Sequence, residues 1–274
     1  MSNAAVLPPA RGYWREVWRR FRRNRRAVVS VFVIAVMFVM GIFTEELAPY
    51  CHTTQNLRAV AQDPSLAHPL GTDDLGRDLL SRIIWGARTA VIVSLTVISL
   101  ELLVGLPLGA VAGYFGGKVD TAIMRVADFL FAFPSFLFLL FIAATIRPSV
   151  IEFIKGIGSG LGLKRGVNCA ADYVAFGDFA VVIGALAFIG WPGLARLVRG
   201  LFLSLREREF IESARATGVK DRGIIFRHLL PNALPAIIVS VSLGMGGAIL
   251  AETSLSFLGI GIQPPNASWG NLIL

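Results

Sequence analysis

Five apolar runs decide what this chain can fold into. Residues 27–43, 90–115, 126–146, 179–195 and 233–257 carry almost no charge, and at about 1.5 Å of rise per residue each is long enough to cross about 30 Å of hydrocarbon, the fourth only marginally. Lipid offers no water to satisfy a bare peptide group, so runs of this length read as helices. The predicted fold is all-α, a polytopic transmembrane bundle. Composition agrees, with 55% apolar and only 16% charged residues, far from the balance of soluble domains. The first run follows basic residues, as a signal peptide would. It lacks a small-residue cleavage site, however, and ends in Thr44-Glu45-Glu46, so it reads as a span.

Lys and Arg are unevenly spread. Eight Arg precede Ala27 and eight basic residues lie between Arg196 and Arg227; with Lys118 and Arg125 these make 18 of the 26. The positive-inside rule then places the amino terminus and the segment between the fourth and fifth runs in the cytoplasm. The net charge of +8 follows from the same rule, without a nucleic-acid partner. The layout is a cytoplasmic basic amphipathic segment (1–26), a first transmembrane helix (27–43), an extracytoplasmic segment (44–89) and a membrane core (90–274) with a cytoplasmic loop at about 206–232.

Several local features add detail. Trp14, Val17, Trp18 and Phe21 recur at helical spacing among Arg residues, which suits a helix lying along the inner membrane surface. In HPLGTDDLGRDLLSRIIWGAR, Asp73 or Asp74 can cap a short helix from Leu75, with Leu79, Leu80, Ile83 and Ile84 on one face at the outer interface. Gly105, Gly109 and Gly113 lie four residues apart, a pattern that admits another helix at close range and makes the chain a bundle. Pro134 is expected to kink the third span, and Trp191-Pro192-Gly193 to interrupt the fourth. The glycine-containing segment 147–178 matches no phosphate-binding motif and reads as a flexible outer loop. Cys51 and Cys169 both fall in outer segments; they could form one disulfide, but two free thiols are the expectation.

Between the fourth and fifth spans the chain reads REREFIESARATGVKDRGIIFRHLLPNALPAII. Phe210, Ile211 and Ala214 share a helical face beside Glu209, Glu212 and Arg215, Gly218 is placed to end that helix, and Asp221 can cap the next. A short apolar face exposed to the cytoplasm needs a partner's groove. Here the sequence resembles the inner-membrane permeases of binding-protein-dependent ABC importers, whose cytoplasmic motif is Glu-Ala-Ala, three residues, Gly, nine residues, Ile-x-Leu-Pro. Glu212-Ser213-Ala214, Gly218 and His228-Leu229-Leu230-Pro231 stand at that spacing, with Ser213 for the first Ala and His228 for Ile. HPLGTDDLGRD (68–78), GYFGGKVD (113–120) and AETSLSFLGIGIQPPNASWG (251–270) are similar to the oligopeptide, dipeptide and nickel branch.

The resemblance implies a multi-pass plasma-membrane permease of the type I importer fold that carries di- or oligopeptides, with nickel or another small solute as the alternative. It implies a second permease subunit, two cytoplasmic ATPase subunits that bind ATP and Mg, and an extracytoplasmic binding protein. The chain itself would hold no cofactor. Its docking residues would be Glu209, Phe210, Ile211, Glu212, Ala214, Arg215 and Gly218, with Phe210 and Ile211 as anchors. The family also leads one to expect a sixth span beyond Leu274. Ionisable residues within spans are candidates for the translocation path or its gate: Glu101 near the middle of the second, Asp128 one turn from Arg125 in the third, and Glu252 toward the outer end of the fifth. Asp128 with Arg125 reads as an interfacial pair, whereas Glu101 and Glu252 need partners in the bundle. A membrane enzyme is disfavoured: neither HExxH nor GxSxG occurs, and His52, His68 and His228 are dispersed. No catalytic or metal site is expected.

Overall fold

The computed structural model describes residues 18, 19, 21–160, 169 and 173–273. Among them the regular structure is helical, with a single isolated bridge between Thr72 and Asp78. Five helical segments are long and apolar enough to cross a membrane. Trp14 and Val17 of the predicted surface helix lie outside the described residues; Trp18 and Phe21 stack at 5.7 Å between ring centroids.

Helix α1 (Arg25–Ile42) starts where the Asn24 side chain accepts from the Ala27 N–H at 3.3 Å, supplying an orphan donor of the first turn with an acceptor. Most of its surface faces outward, as a lipid-facing span requires, and it touches the bundle through Gly41, where a Cβ would stand 2.9 Å from Val91 Cγ2. Helix α2 (Leu79–Phe115) is capped by Asp78, whose carboxylate accepts from Ser81 N–H at 2.7 Å. No separate helix forms from Leu75. Asp73 is occupied instead with the loop itself, accepting from the N–H groups of Leu75 and Arg77, so the interfacial helix and the second span are one element.

Gly116 and Gly117, both at positive φ, turn the chain into α3 (Gly117–Phe131), a conformation that residues bearing a Cβ avoid. At Pro134 the expected kink is a full break, and α4 (Ser135–Gly160) begins after it. The fourth span departs in the opposite sense. Helix α5 (Tyr173–Arg206) runs through Pro192 without interruption, since packed transmembrane helices re-satisfy the groups a proline frees. The described parts of segment 147–178 are largely helical rather than open loop: α4 and α5 extend into it from both sides, held by an Arg147–Asp178 ion pair at 2.9 Å. Residues 161–168 and 170–172 lie outside the described residues.

The pairing of α2 with α5 is the most extensive in the bundle. A Cβ at Gly105 would stand 2.8 Å from Trp191 O, at Gly109 2.5 Å from Ala195 O, and at Gly113 2.7 Å from Arg199 O. The three glycines thus form a groove into which successive turns of α5 settle backbone to backbone. After α5 come α6 (Glu209–Ala216), a single turn Asp221–Gly223, a π-helical turn Ile224–Leu229 and α7 (Leu230–Phe257).

Cys51 and Cys169 are joined as a disulfide, with Cα atoms 5.6 Å apart, which corrects the expectation of two free thiols. They are 118 residues apart in sequence, so no local pattern announces the contact.

Candidate functional site

Two ends of the bundle and one cavity between them carry the candidate chemistry. At one end stands α6. Its last turn closes by a Schellman arrangement: Val219 N–H donates to Ala214 O at 3.1 Å and Gly218 N–H to Arg215 O at 2.9 Å, with Gly218 at φ +78°. Gly218 therefore ends the helix as expected, because only a residue without Cβ takes that φ at no cost.

The apolar face of α6 is divided. Phe210 is 41% exposed, but Ile211 is fully buried and Ala214 nearly so. Ile211 joins one apolar cluster with Tyr114 of α2, Val198 and Phe202 of α5, Ile224 and Leu229 of the π turn, and Ala233 and Ile237 of α7. This corrects the placing of Ile211 and Ala214 on a surface open to a partner: they fasten α6 to its own chain. Glu209, Glu212, Arg215 and Gly218 remain exposed beside Phe210. Among the described residues Glu212 makes no ion pair with Arg208 or Arg215.

Asp221 does not cap the following turn, whose cap is Lys220. Its carboxylate accepts from the Tyr114 hydroxyl at 2.5 Å, and the Arg215 guanidinium lies 5.8 Å from the Tyr114 ring centroid. Arg206 donates to Gly113 O and Tyr114 O. The end of α2 is thereby tied to both flanks of α6. None of these ties was legible beforehand, since Tyr114 and Asp221 are 107 residues apart.

The three ionisable candidates meet different fates. Asp128 pairs with Arg196 of α5 at 2.5 Å rather than with Arg125, and Asp120 with Arg199. Helix α3 runs alongside α5 and sets Asp120 and Asp128 against its basic side chains, so cross-helix pairing wins over pairing within one helix. Glu252 is 1% exposed and accepts from Ser256 Oγ at 2.7 Å, with Ser268 also bonded to it. Its partners are Ser256, one turn on in α7, and Ser268 in the segment after it, so it fastens that segment to the helix instead of lining a path. Glu101 lines a cavity of about 310 Å³ between α2, α4, α5 and α7, with Val97, Phe136, Leu139, Leu186 and Ala248 among its walls.

At the other end, HPLGTDDLGRD and the segment after α7 converge. His68 Nδ1 and Asp78 Oδ1 are 2.9 Å apart. Asp73 binds Arg77 at 2.7 Å and Arg82 at 2.5 Å. Burial pushes the Asp73 carboxyl upward, yet the hydrogen bonds from the Arg77 backbone and side chain and from Leu75 N–H outweigh it and hold the group below the usual carboxylate range. Arg82 also reaches Asn271 at 3.4 Å, Thr89 donates to Ala267 O at 2.7 Å and Trp269 to Ile83 O at 3.1 Å. Gly86 admits the Trp269 ring, since a Cβ there would lie 2.5 Å from its Cδ1. Nearby, His52 packs on Trp85 at 4.4 Å, and burial first, then Arg82, Arg77 and Arg88, lowers its pKa to about 4. Arg82 and Asn271, the residues that join the two stretches, were not singled out from sequence.

Residues 105–273 match the binding-protein-dependent transport system inner membrane component family, and residues 12–69 match the N-terminal transmembrane domain of oligopeptide transport permease C. The chain therefore belongs to the binding-protein-dependent transport system inner membrane components, and it is a multi-pass permease subunit of that class. It is 35% identical to the dipeptide transport system permease protein DppC of Bacillus subtilis over 97% of its own length and 74% of that protein's. It is 38% identical to the oligopeptide transport system permease protein OppC of Mycobacterium tuberculosis (94% and 79%) and 36% identical to the glutathione transport system permease protein GsiD of Pectobacterium atrosepticum (95% and 77%).

Proposed function

We propose that this subunit carries peptides across the plasma membrane into the cytoplasm as half of a permease pair. Two cytoplasmic ATPase subunits would bind ATP and Mg, one of them docking on α6, and an extracytoplasmic protein would deliver the cargo. The observation that carries the peptide reading is that dipeptide, oligopeptide and glutathione permeases all align with nearly the whole chain. Nickel has less support. Its carriers need imidazole, thiolate or clustered carboxylate donors along the path, and the cavity offers one carboxylate among apolar walls.

Docking would use Phe210 as the apolar anchor and Glu209, Glu212 and Arg215 as its polar surround. Because Ile211 shares one packed cluster with α2, α5 and α7, a displacement of α6 is passed to three spans at once, and dense packing gives it little room to dissipate. The Tyr114–Asp221 hydrogen bond adds a second link from the docking element to α2. The excess of Lys and Arg around the start of α1 and around α6 supports a cytoplasmic side for both.

Uptake into liposomes tests the reading. The assembled transporter, supplied with ATP and its binding protein, should accumulate tri-alanine and not Ni²⁺; accumulation of Ni²⁺ alone would replace peptide by metal as the cargo.

A further inference from the structure

We propose that the cavity beside Glu101 receives the ammonium group at the amino terminus of the transported peptide, with the Glu101 carboxylate as its counter-charge. This rests on the peptide reading above.

Other acidic groups of the bundle have partners or stand exposed: Asp120 has Arg199, Asp128 has Arg196, Asp178 has Arg147 and Glu252 has Ser256, while Glu152 of α4 lies on the exposed surface. Among the described residues none donates a hydrogen bond to Glu101 or pairs with it. An ionisable side chain near the middle of a span without a partner calls for one from outside the chain. The carboxyl group packs against Gly190 of α5 at the cavity wall. A Cβ built at Gly190 would overlap Glu101 Oε1, so glycine is the residue that leaves this oxygen its space. Gly244 and Gly247 line the same cavity from α7.

The form of the cavity identifies the ligand's chemistry. A void of about 310 Å³ lies at the lower end of ligand sites, which combine apolar walls with a few polar groups that fix orientation. Glu101 is the one ionisable group lining it; Val97, Phe136, Leu139, Leu186 and Ile189 supply apolar wall. Such a site holds a cation attached to a variable, often apolar, body. In a peptide with a free amino terminus, the ammonium is the cation present whatever the side chains, and the first side chain meets the apolar wall. Four spans border the cavity, so their relative movement during transport would change its shape and release the charge pair.

The test uses the complete transporter in lipid nanodiscs and a hydrophobic carbodiimide, which adds to unpartnered carboxyl groups within membranes, with the Glu101 adduct quantified by mass spectrometry. Glu101 should be labelled in the ligand-free transporter. Tri-alanine should lower the labelling about tenfold or more, whereas N-acetyl-tri-alanine should leave it unchanged. Glu101→Gln should lower tri-alanine uptake by about tenfold or more, with Glu101→Asp keeping a substantial part of it. Equal protection by both peptides, or no labelling in the ligand-free transporter because a partner subunit's cation already covers the carboxylate, would overturn the assignment. Uptake by the wild type judges the peptide reading separately: protection of Glu101 by butylammonium in a transporter that takes up no peptide would sink that reading and leave the ammonium site standing.

Discussion

Replacing Gly109 by Ala tests the contact on which the bundle is built. The new methyl would stand 2.5 Å from Ala195 O, 2.8 Å from Val198 Cβ and 3.0 Å from Ala195 Cα. Two of those atoms are α5 backbone, which cannot rotate aside, so the helices must separate locally. Overpacking of this kind costs about 1–3 kcal/mol, and the better helix propensity of Ala returns about 0.5–1 kcal/mol. Gly200→Ala supplies the control. A Cβ at Gly200 meets nothing within 4 Å, so only the propensity gain of about 0.5–1 kcal/mol remains. Thermal unfolding of the detergent-solubilised chain should therefore show a midpoint lowered by several degrees for Gly109→Ala and unchanged or raised for Gly200→Ala, at about 2–4 °C per kcal/mol for a chain of this size. Equal midpoints for the two variants would refute the backbone-to-backbone packing of α2 on α5.

The two apolar residues at the start of α6 should separate in the same assay. Ile211→Ala should destabilise the subunit by about 2–5 kcal/mol, while Phe210→Ala should leave its midpoint unchanged and weaken ATPase co-purification by on the order of 2 kcal/mol. Normal ATPase retention by Phe210→Ala would remove the docking anchor. His52 is held neutral in the fold, with a pKa of about 4 against an ordinary 6.5. Its contribution to stability is therefore complete above pH 6.5 and is lost as the pH falls from 6.5 toward 4; His52→Phe should flatten that part of a stability–pH curve, and an unaltered curve would contradict the burial. Peptide mapping without reduction should recover Cys51 linked to Cys169, and alkylation of both thiols in the native subunit would contradict the disulfide.

The class of fold was legible because the membrane imposes so few solutions: long uncharged runs must be helices, and the register of Gly105, Gly109 and Gly113 already specified a close neighbour. It could not say that the neighbour is α5, because the spacing describes one surface only. Proline misled in both directions. Its effect depends on what packs around it, so Pro134 marks the break where α3 meets α4, while Pro192 is carried inside α5, next to the Trp191 whose carbonyl meets Gly105. At the docking segment the spacing located α6 and its terminating Gly218. Periodicity groups Phe210, Ile211 and Ala214 on one face, however, and cannot tell which part of that face turns toward the chain's own core. Long-range pairs such as Tyr114–Asp221, Arg82–Asn271 and Cys51–Cys169 leave no local trace at all.

Whether a cargo signal crosses this subunit to an ATPase is most directly read from ATP hydrolysis by the assembled transporter in liposomes, with peptide-loaded or empty binding protein added on the side of the Cys51–Cys169 disulfide. Peptide-loaded protein should raise the rate over the empty form. In Glu212→Ala transporters that retain their ATPases, that rise and the accompanying peptide uptake should both fall. A rate indifferent to cargo in the wild type, or stimulated by Ni²⁺-loaded and not by peptide-loaded protein, would contradict the account of this chain as a peptide importer's coupling permease.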